Sequence, residues 1–245
     1  MMKLEENHYV RDGHIHAQLG IAGTTYNEKH IIELGGHEFI VYPNVFSPAV
    51  FPLPDHLVKT WLDLIHIIKP ESVLEIGSGA GYLAILAALN GANRVTATDI
   101  TQDAIENIQA NIEKYNLGDR MQAVYGSVFE PFDKNDRFDV IFWDIPFCHI
   151  DKPMEELSAL ERTVFNPGYI LSEAYLKGAH QHLTDNGRVF VAFSKMLGHP
   201  EKLLELTNKY GWCLELVMNL EQVTSNIEGI YDNKADINIY ELIRL

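Results

Sequence analysis

The chain predicts an α/β fold: a doubly wound, seven-stranded sheet, mostly parallel, with an antiparallel final strand pair and a small β-hairpin region ahead of it. Three observations carry that expectation. Short apolar segments alternate with amphipathic helical ones. The apolar segments are nearly continuous rather than alternating with polar residues, as strands covered on both faces are. The last two strand-like segments have no helical segment between them, so they pair antiparallel.

In order, residues 31–34 and 37–42 flank Gly35-Gly36 and read as a hairpin, because two glycines permit the positive φ that hairpin turns favour. The stretch 42–54 carries four prolines and cannot be helix interior. It marks a boundary between a small N-terminal β region, 1–45, suited to a lid or to substrate recognition, and a main domain, 46–245. Asp55 suits the cap of a helix with Leu57, Val58, Trp61, Leu62, Ile65 and Ile68 at helical spacing, stopped by Pro70. Strand 72–76, helix 82–90, strand 94–98, helix 101–115 and strand 121–125 follow. Then come strand 138–143, helix 171–183, strand 188–193, helix 200–210 and strands 213–218 and 237–243.

At 245 residues the chain can bury a sizeable core without disulfides, and 47% hydrophobic with 22% charged residues is ordinary for a globular protein. The longest apolar runs, 140–143 and 83–89, fall far short of the ~20 residues that span a bilayer, so no membrane partner is expected. The opening ten residues are polar and acidic, unlike a secretory signal. Cys148 and Cys213 show no CxxC spacing, which points to a reduced, cytoplasmic protein with no structural metal. With 19 basic against 34 acidic residues the net charge is −15, which disfavours nucleic acid as a partner, since polyanions are held by basic patches.

Two motifs carry chemistry. The first is Val73-Leu-Glu-Ile-Gly-Ser-Gly-Ala-Gly81, a glycine-rich turn between strand and helix, where backbone approaches a ligand closely. Asp99 ends the next strand, 22 residues beyond Gly77, where a carboxylate can accept ribose hydroxyls. The pattern is G-x-G-x-G rather than the G-x-G-x-x-G of dinucleotide folds. Glu75, just before it, suits a cationic ligand end and opposes a pyrophosphate. The second motif, Asp144-Ile145-Pro146-Phe147, ends the fourth core strand. A planar amide or aryl amine has a delocalised, weakly nucleophilic lone pair. The Asp144 side chain and the Ile145 carbonyl can each accept one N–H, Pro146 stiffens the turn, and Phe147 can stack on the planar group.

Together these residues resemble the class I S-adenosylmethionine (SAM) methyltransferases, over residues 46–245. The second motif resembles the (Asn/Asp/Ser)-(Pro/Ile/Leu)-Pro-(Tyr/Phe/Trp) signature of the exocyclic-amine and protein-glutamine N-methyltransferases of the small-domain type. The resemblance implies a Rossmann-like sheet and SAM as cofactor, with Glu75, Gly77, Ser78, Gly79 and Gly81 holding its methionine end. It implies Asp99 on the ribose and Ile100 on the adenine. Ser127, with Val128, stands where the family often has an acidic residue meeting the adenine amine. The catalytic group is Asp144, Ile145, Pro146 and Phe147, and the acceptor a planar nitrogen on a protein side chain or small molecule. An adenine or guanine of RNA is the alternative acceptor. Alternatives of other classes are a non-catalytic SAM-binding scaffold and an NAD-dependent oxidoreductase.

Weaker signals surround these motifs. Phe46, Pro48 and Phe51 are candidates for a roof over the cofactor. The insert 148–169 follows the second motif, and His149, Glu155, Glu156, Arg162 and Asn166 in it are candidates to touch substrate, His149 also to assist proton loss. Among eleven histidines, His14 with His16 and His180 with His182 have ligand-like spacing, but neither pair has a third ligand.

Overall fold

The structure, a computed structural model, describes residues 27–50, 54–224 and 234–245. His14, His16 and Phe51 lie outside the described residues, as does most of the region 1–45. The described part of that region is an antiparallel hairpin of β1 (His30–Leu34) and β2 (His37–Val41), in which Leu34 pairs with His37. Gly35 and Gly36 turn it at φ of 58° and 76°, the double positive φ of a tight hairpin turn.

The main sheet runs β3 (Ser72–Ile76), β4 (Arg94–Asp99), β5 (Met121–Tyr125), β6 (Phe138–Asp144), β7 (Leu183–Phe193), β8 (Trp212–Thr224) and β9 (Lys234–Arg244) in chain order. In space the order is β5-β4-β3-β6-β7-β9-β8. The pairs among β3 to β7 are parallel, while β9 is antiparallel to both β7 and β8. This is the seven-stranded, mostly parallel sheet with an antiparallel final pair that the pattern implied. The chain order reverses at β3, which puts β4 on one side and β6 on the other. A crevice therefore opens at the carboxyl ends of β3, β4 and β6, where such sheets bind ligands.

Helices cover both faces. On one lie α1 (Pro54–Ile68), α2 (Tyr82–Leu89) and α3 (Gln102–Lys114), with the hairpin beyond them. On the other lie α4 (Ile170–Gly178) and α5 (Pro200–Lys209). Along β6 the period of two sends Val140 and Phe142 to the first layer and Ile141 and Trp143 to the second. Buried aromatics have their polar handles satisfied: Trp61 donates to the Leu83 carbonyl at 2.8 Å, Tyr175 to Phe190 at 2.7 Å and Trp212 to Leu176 at 2.7 Å.

Three local expectations shift. Asp55 does not cap α1 from outside: Pro54 is the first helical residue, and Asp55 sits in the first turn, where its charge meets the helix dipole. The helix expected over 171–183 ends at Gly178 and passes into a 3-10 turn, Ala179–His182. There His182 stacks on Phe129, centroids 4.8 Å apart, and donates its Nδ1–H to the Asp136 carbonyl, while His180 stacks on Trp212 at 3.7 Å. The two histidines thus serve separate packing sites. Finally β8 and β9 run longer than expected, because the sequence turns polar past Met218 (Asn219, Glu221, Gln222) while the ladder continues to Thr224 and Lys234.

Two buried asparagines on α3 tie the hairpin down. Asn111 accepts from the Ile40 N–H at 2.8 Å and donates to the carbonyls of Ile40 and Ala80, at 2.8 and 2.9 Å. Asn107 accepts from the Tyr42 N–H at 2.7 Å and donates to the Ile40 carbonyl at 2.7 Å. Phe39 and Val41 are fully buried in the same core as α2 and α3. The hairpin is thereby fixed to the loop that carries Ala80.

Candidate active site

A cavity of about 220 Å³ opens at the carboxyl ends of β3, β4 and β6. Gly77, Ser78, Gly79, Asp99, Ile100, Ser127, Val128 and all of Asp144 to Phe147 line it, so the two sequence motifs share one space. Gly81, at the end of the turn, is not among the lining residues and packs toward Ile108 instead.

Glu75 ends on the cavity floor. Its Oε2 accepts from the Ser78 hydroxyl at 2.7 Å and from the Ala84 N–H, in the first turn of α2, at 2.9 Å. Its pKa is raised to about 8, mainly by burial and also by the Asp144 and Asp99 charges, against those two hydrogen bonds. A carboxylate so placed favours a cation. The turn is built tightly above it: Ser78 N–H donates to the Thr98 carbonyl and Gly81 N–H to the Ser78 carbonyl, both at 2.8 Å. Gly77 and Gly79 have φ of 61° and 55°. A Cβ on Gly77 would lie 2.6 Å from the Trp143 Nε1, whereas a Cβ on Gly79 would meet only the cavity-lining Val45, at 4.0 Å.

Asp99 joins two loops. Oδ2 accepts from the Gly79 N–H at 3.1 Å, and Oδ1 from the N–H and hydroxyl of Thr101 at 3.0 and 2.9 Å. Burial raises its pKa, and these bonds oppose the rise. A carboxylate offers about four lone-pair sites. These three bonds and the Ile100 N–H engage it, so a ligand hydroxyl binds by exchange, for instance as the Thr101 hydroxyl turns away. Beyond β5, Gly126 and Ser127 lead to Val128, buried and held at φ 49°. A β-branched residue there is strained, and this strain sits on the cavity wall.

Asp144 differs from the other two carboxylates. It is reached from the cavity, and among the described residues nothing hydrogen-bonds to it. Protein surrounds it on the remaining sides and strips much of its water, which pushes its pKa up to about 7. The Ile145 N–H donates to the Ala192 carbonyl at 3.3 Å, and the Ile145 carbonyl receives no bond from the described residues. Pro146 has no N–H to give. The Phe147 carbonyl is already taken, by the Tyr169 hydroxyl at 2.8 Å, while the Phe147 ring meets Phe193 edge-on at 6.1 Å.

The remaining candidates divide. Phe46 and Pro48 line the cavity, and so does Arg162. His149 does not; its Nδ1 accepts from the Gly168 N–H at 3.1 Å, its ring lies parallel to Tyr169 at 6.3 Å, and burial and the neighbouring His199 lower its pKa. Asn166 is buried and spends its amide on the Ser172 hydroxyl and the Leu171 N–H. Glu155 and Glu156 sit in a 3-10 turn, Met154–Glu156, away from the cavity. Cys148 is buried and its backbone bridges to Phe165. Tyr82, which the sequence reading passed over, also lines the cavity, and the Asp144 and Glu75 charges help raise its pKa well above the ordinary value after burial itself. Its signal was its place, the first residue of α2 directly after the glycine turn.

Residues 73–168 match the family described as methyltransferase domain. A bifunctional methyltransferase of Rickettsia typhi is 30% identical over 164 residues, which cover 63% of this chain and 31% of that protein. The release factor glutamine methyltransferase of Rhodopirellula baltica is 27% identical over 196 residues, covering 75% of this chain and 64% of that protein. The chain spans about a third of the length of the bifunctional relatives. Among solved structures, SMU.776 in complex with S-adenosylhomocysteine (SAH) superposes with a TM-score of 0.63 at 15% identity, over 87% of this chain and 56% of that one. The methyltransferase-domain match spans both motifs, and the sheet order and the likeness to SMU.776 show a Rossmann-like fold.

Proposed function

We propose that the chain methylates a planar amide or aromatic amine nitrogen, on a protein side chain or a small molecule, with the Asp144-Ile-Pro-Phe tip as the acceptor-binding element. The observation that carries this reading is the pair of unspent acceptors at that tip. The Asp144 carboxylate and the Ile145 carbonyl sit on consecutive residues of the cavity wall, and no described residue hydrogen-bonds to either. An amine with two N–H groups matches them in number and kind.

SAM fits the donor set on the opposite wall. Glu75 keeps Oε1 for its ammonium, Asp99 can take a ribose hydroxyl in exchange for the Thr101 hydroxyl, and Gly79 leaves open space beside the turn. When bound there it supplies an electrophilic sulfonium methyl. Asp144 and Ile145 would each take one N–H, draw the lone pair out of conjugation and aim it across the cavity. Phe147 would cover the planar group, and Phe46 and Pro48 would keep water from the roof. Above about pH 7 Asp144 is ionised and can take the proton that the nitrogen loses on methylation. Holding the two partners in line accounts for most of such a rate, about 7–11 kcal/mol in well-oriented cases.

A net charge of −15, with Glu75, Asp99, Asp144 and Asp236 all lining the cavity, favours a protein side chain or small molecule over RNA. The Rhodopirellula relative, named for a glutamine acceptor, supports the same choice. The test is transfer of label from methyl-tritiated SAM to a cell lysate separated into protein, RNA and small molecules. Label in protein or small molecules is expected. Label confined to RNA would overturn the acceptor class, and no label in any fraction would overturn transfer itself.

A further inference from the structure

SAM carries an ammonium, a sulfonium and a carboxylate. The charged side chains lining the cavity are Glu75, Asp99, Asp144 and Asp236, all anionic, and Arg162. Asp236 is buried and fully engaged, accepting from the Ser194 hydroxyl, the Lys195 and Met196 N–H groups and the Asn238 amide at 2.6 to 3.0 Å. Ligand cations thus have counterparts in Glu75 and Asp144, while Arg162 is the one cationic side chain, among the described residues lining the cavity, to meet a ligand carboxylate.

Arg162 is built into place. It lies in a 3-10 turn, Glu161–Thr163, whose entry is fixed by Glu161 accepting from the Ser158 N–H at 2.7 Å. The Arg162 Nε–H donates to the Leu157 carbonyl at 3.1 Å, which orients the guanidinium and leaves the Nη groups without a hydrogen-bond partner among the described residues. The next residues return to the acceptor tip, where Cys148 N–H donates to the Val164 carbonyl at 2.9 Å and Asn166 N–H to the Cys148 carbonyl at 2.7 Å. An oriented guanidinium with free donors, half-buried beside a cavity, is suited to a two-point grip on a carboxylate.

We propose that Arg162 is the residue that binds the carboxylate of the cofactor's methionine end. The assignment rests on the methyltransferase reading above. Arg162 would therefore hold the end of the cofactor opposite to Asp99, with Glu75 taking the neighbouring ammonium.

The test compares two ligands by calorimetry, SAH, which has the amino-acid end, and 5′-methylthioadenosine, which lacks it. In Arg162→Ala the affinity for SAH falls tenfold or more and that for 5′-methylthioadenosine stays within twofold, while Arg162→Lys recovers part of the loss. Unchanged SAH affinity in Arg162→Ala overturns the assignment. So does an equal loss for both ligands, which would mark a structural role. If the native protein binds neither ligand, the methyltransferase reading fails first, and the assignment with it.

Discussion

Gly77 and Trp143 are in van der Waals contact across the boundary between β3 and β6: a single methyl on Gly77 would stand 2.6 Å from the indole Nε1. The residue that starts the glycine turn and the residue just before Asp144 are thus packed directly together, with Ile76 and Trp143 paired in the sheet. The distance between the two half-sites is set by this contact, which is a rigid one because Trp143 is itself wedged against Tyr175 at 5.4 Å.

Gly77→Ala is therefore expected to cost stability, ~2–5 kcal/mol from the left-handed backbone and the clash together. Gly79→Ala has the same backbone penalty of ~1–2 kcal/mol but little clash. It is expected to fold, and to lose SAH affinity by more than tenfold because its methyl enters the cavity. Thermal melts and calorimetry on both variants check this contrast.

Asp144 and Glu75 make the site sensitive to pH. Both have folded-state pKa values raised above their ordinary ones, to about 7 and about 8. A carboxyl of this kind favours the folded state fully below its unfolded pKa, and that contribution is lost as pH rises through the folded value. Without ligand, the native protein should thus lose stability between about pH 4 and 8. Asp144→Asn should melt higher than the native protein at pH 8 and at the same temperature near pH 4. Methyl transfer by the native protein should rise with pH around 7, and the residual transfer of Asp144→Asn should not.

Tyr169 holds the Asp144–Phe147 tip from behind. Its hydroxyl donates to the Phe147 carbonyl and accepts from the His199 N–H at 2.9 Å, and the residue tolerates φ 60° to do so. Tyr169→Phe leaves both backbone groups unpaired, a cost of ~1–3 kcal/mol for each that stays dry. The expected result is a several-fold fall in transfer rate with SAH affinity unchanged, read from single-turnover kinetics and calorimetry.

Asn111 binds the hairpin and the glycine turn at once. Asn111→Ala removes the partner of the Ile40 N–H and of the Ala80 carbonyl. Hydrogen exchange should show the Ile40 amide, protected in the native protein, exchanging at least tenfold faster, with the β3 to β7 strands little changed.

The sheet was legible because a parallel sheet buries its strands on both faces, and runs such as Phe138 to Trp143 carry that burial in composition alone. The two motifs were legible because each joins a special backbone to a special side chain: glycines at positive φ beside Glu75, and Pro146 beside Asp144. What stayed hidden depended on distant partners. Asn107 and Asn111 carry no local signal of their role, since nothing nearby in sequence shows the Ile40 backbone, some 70 residues away, resting on them. Arg162 read as one of five polar residues in an irregular insert, and only the folded loop separates it from Asn166 and Glu155. The end of α4 at Gly178 was missed because His182 is held by Phe129 and Asp136, contacts outside any sequence window.

The most direct measurement of the central claim is label transfer from tritiated SAM by Asp144→Ala beside the native protein, with SAH affinity measured on both. The account predicts transfer by the native protein, none by the variant, and SAH affinities within about tenfold of each other. Undiminished transfer by Asp144→Ala would contradict it, because the nitrogen would then be held and deprotonated by some other group.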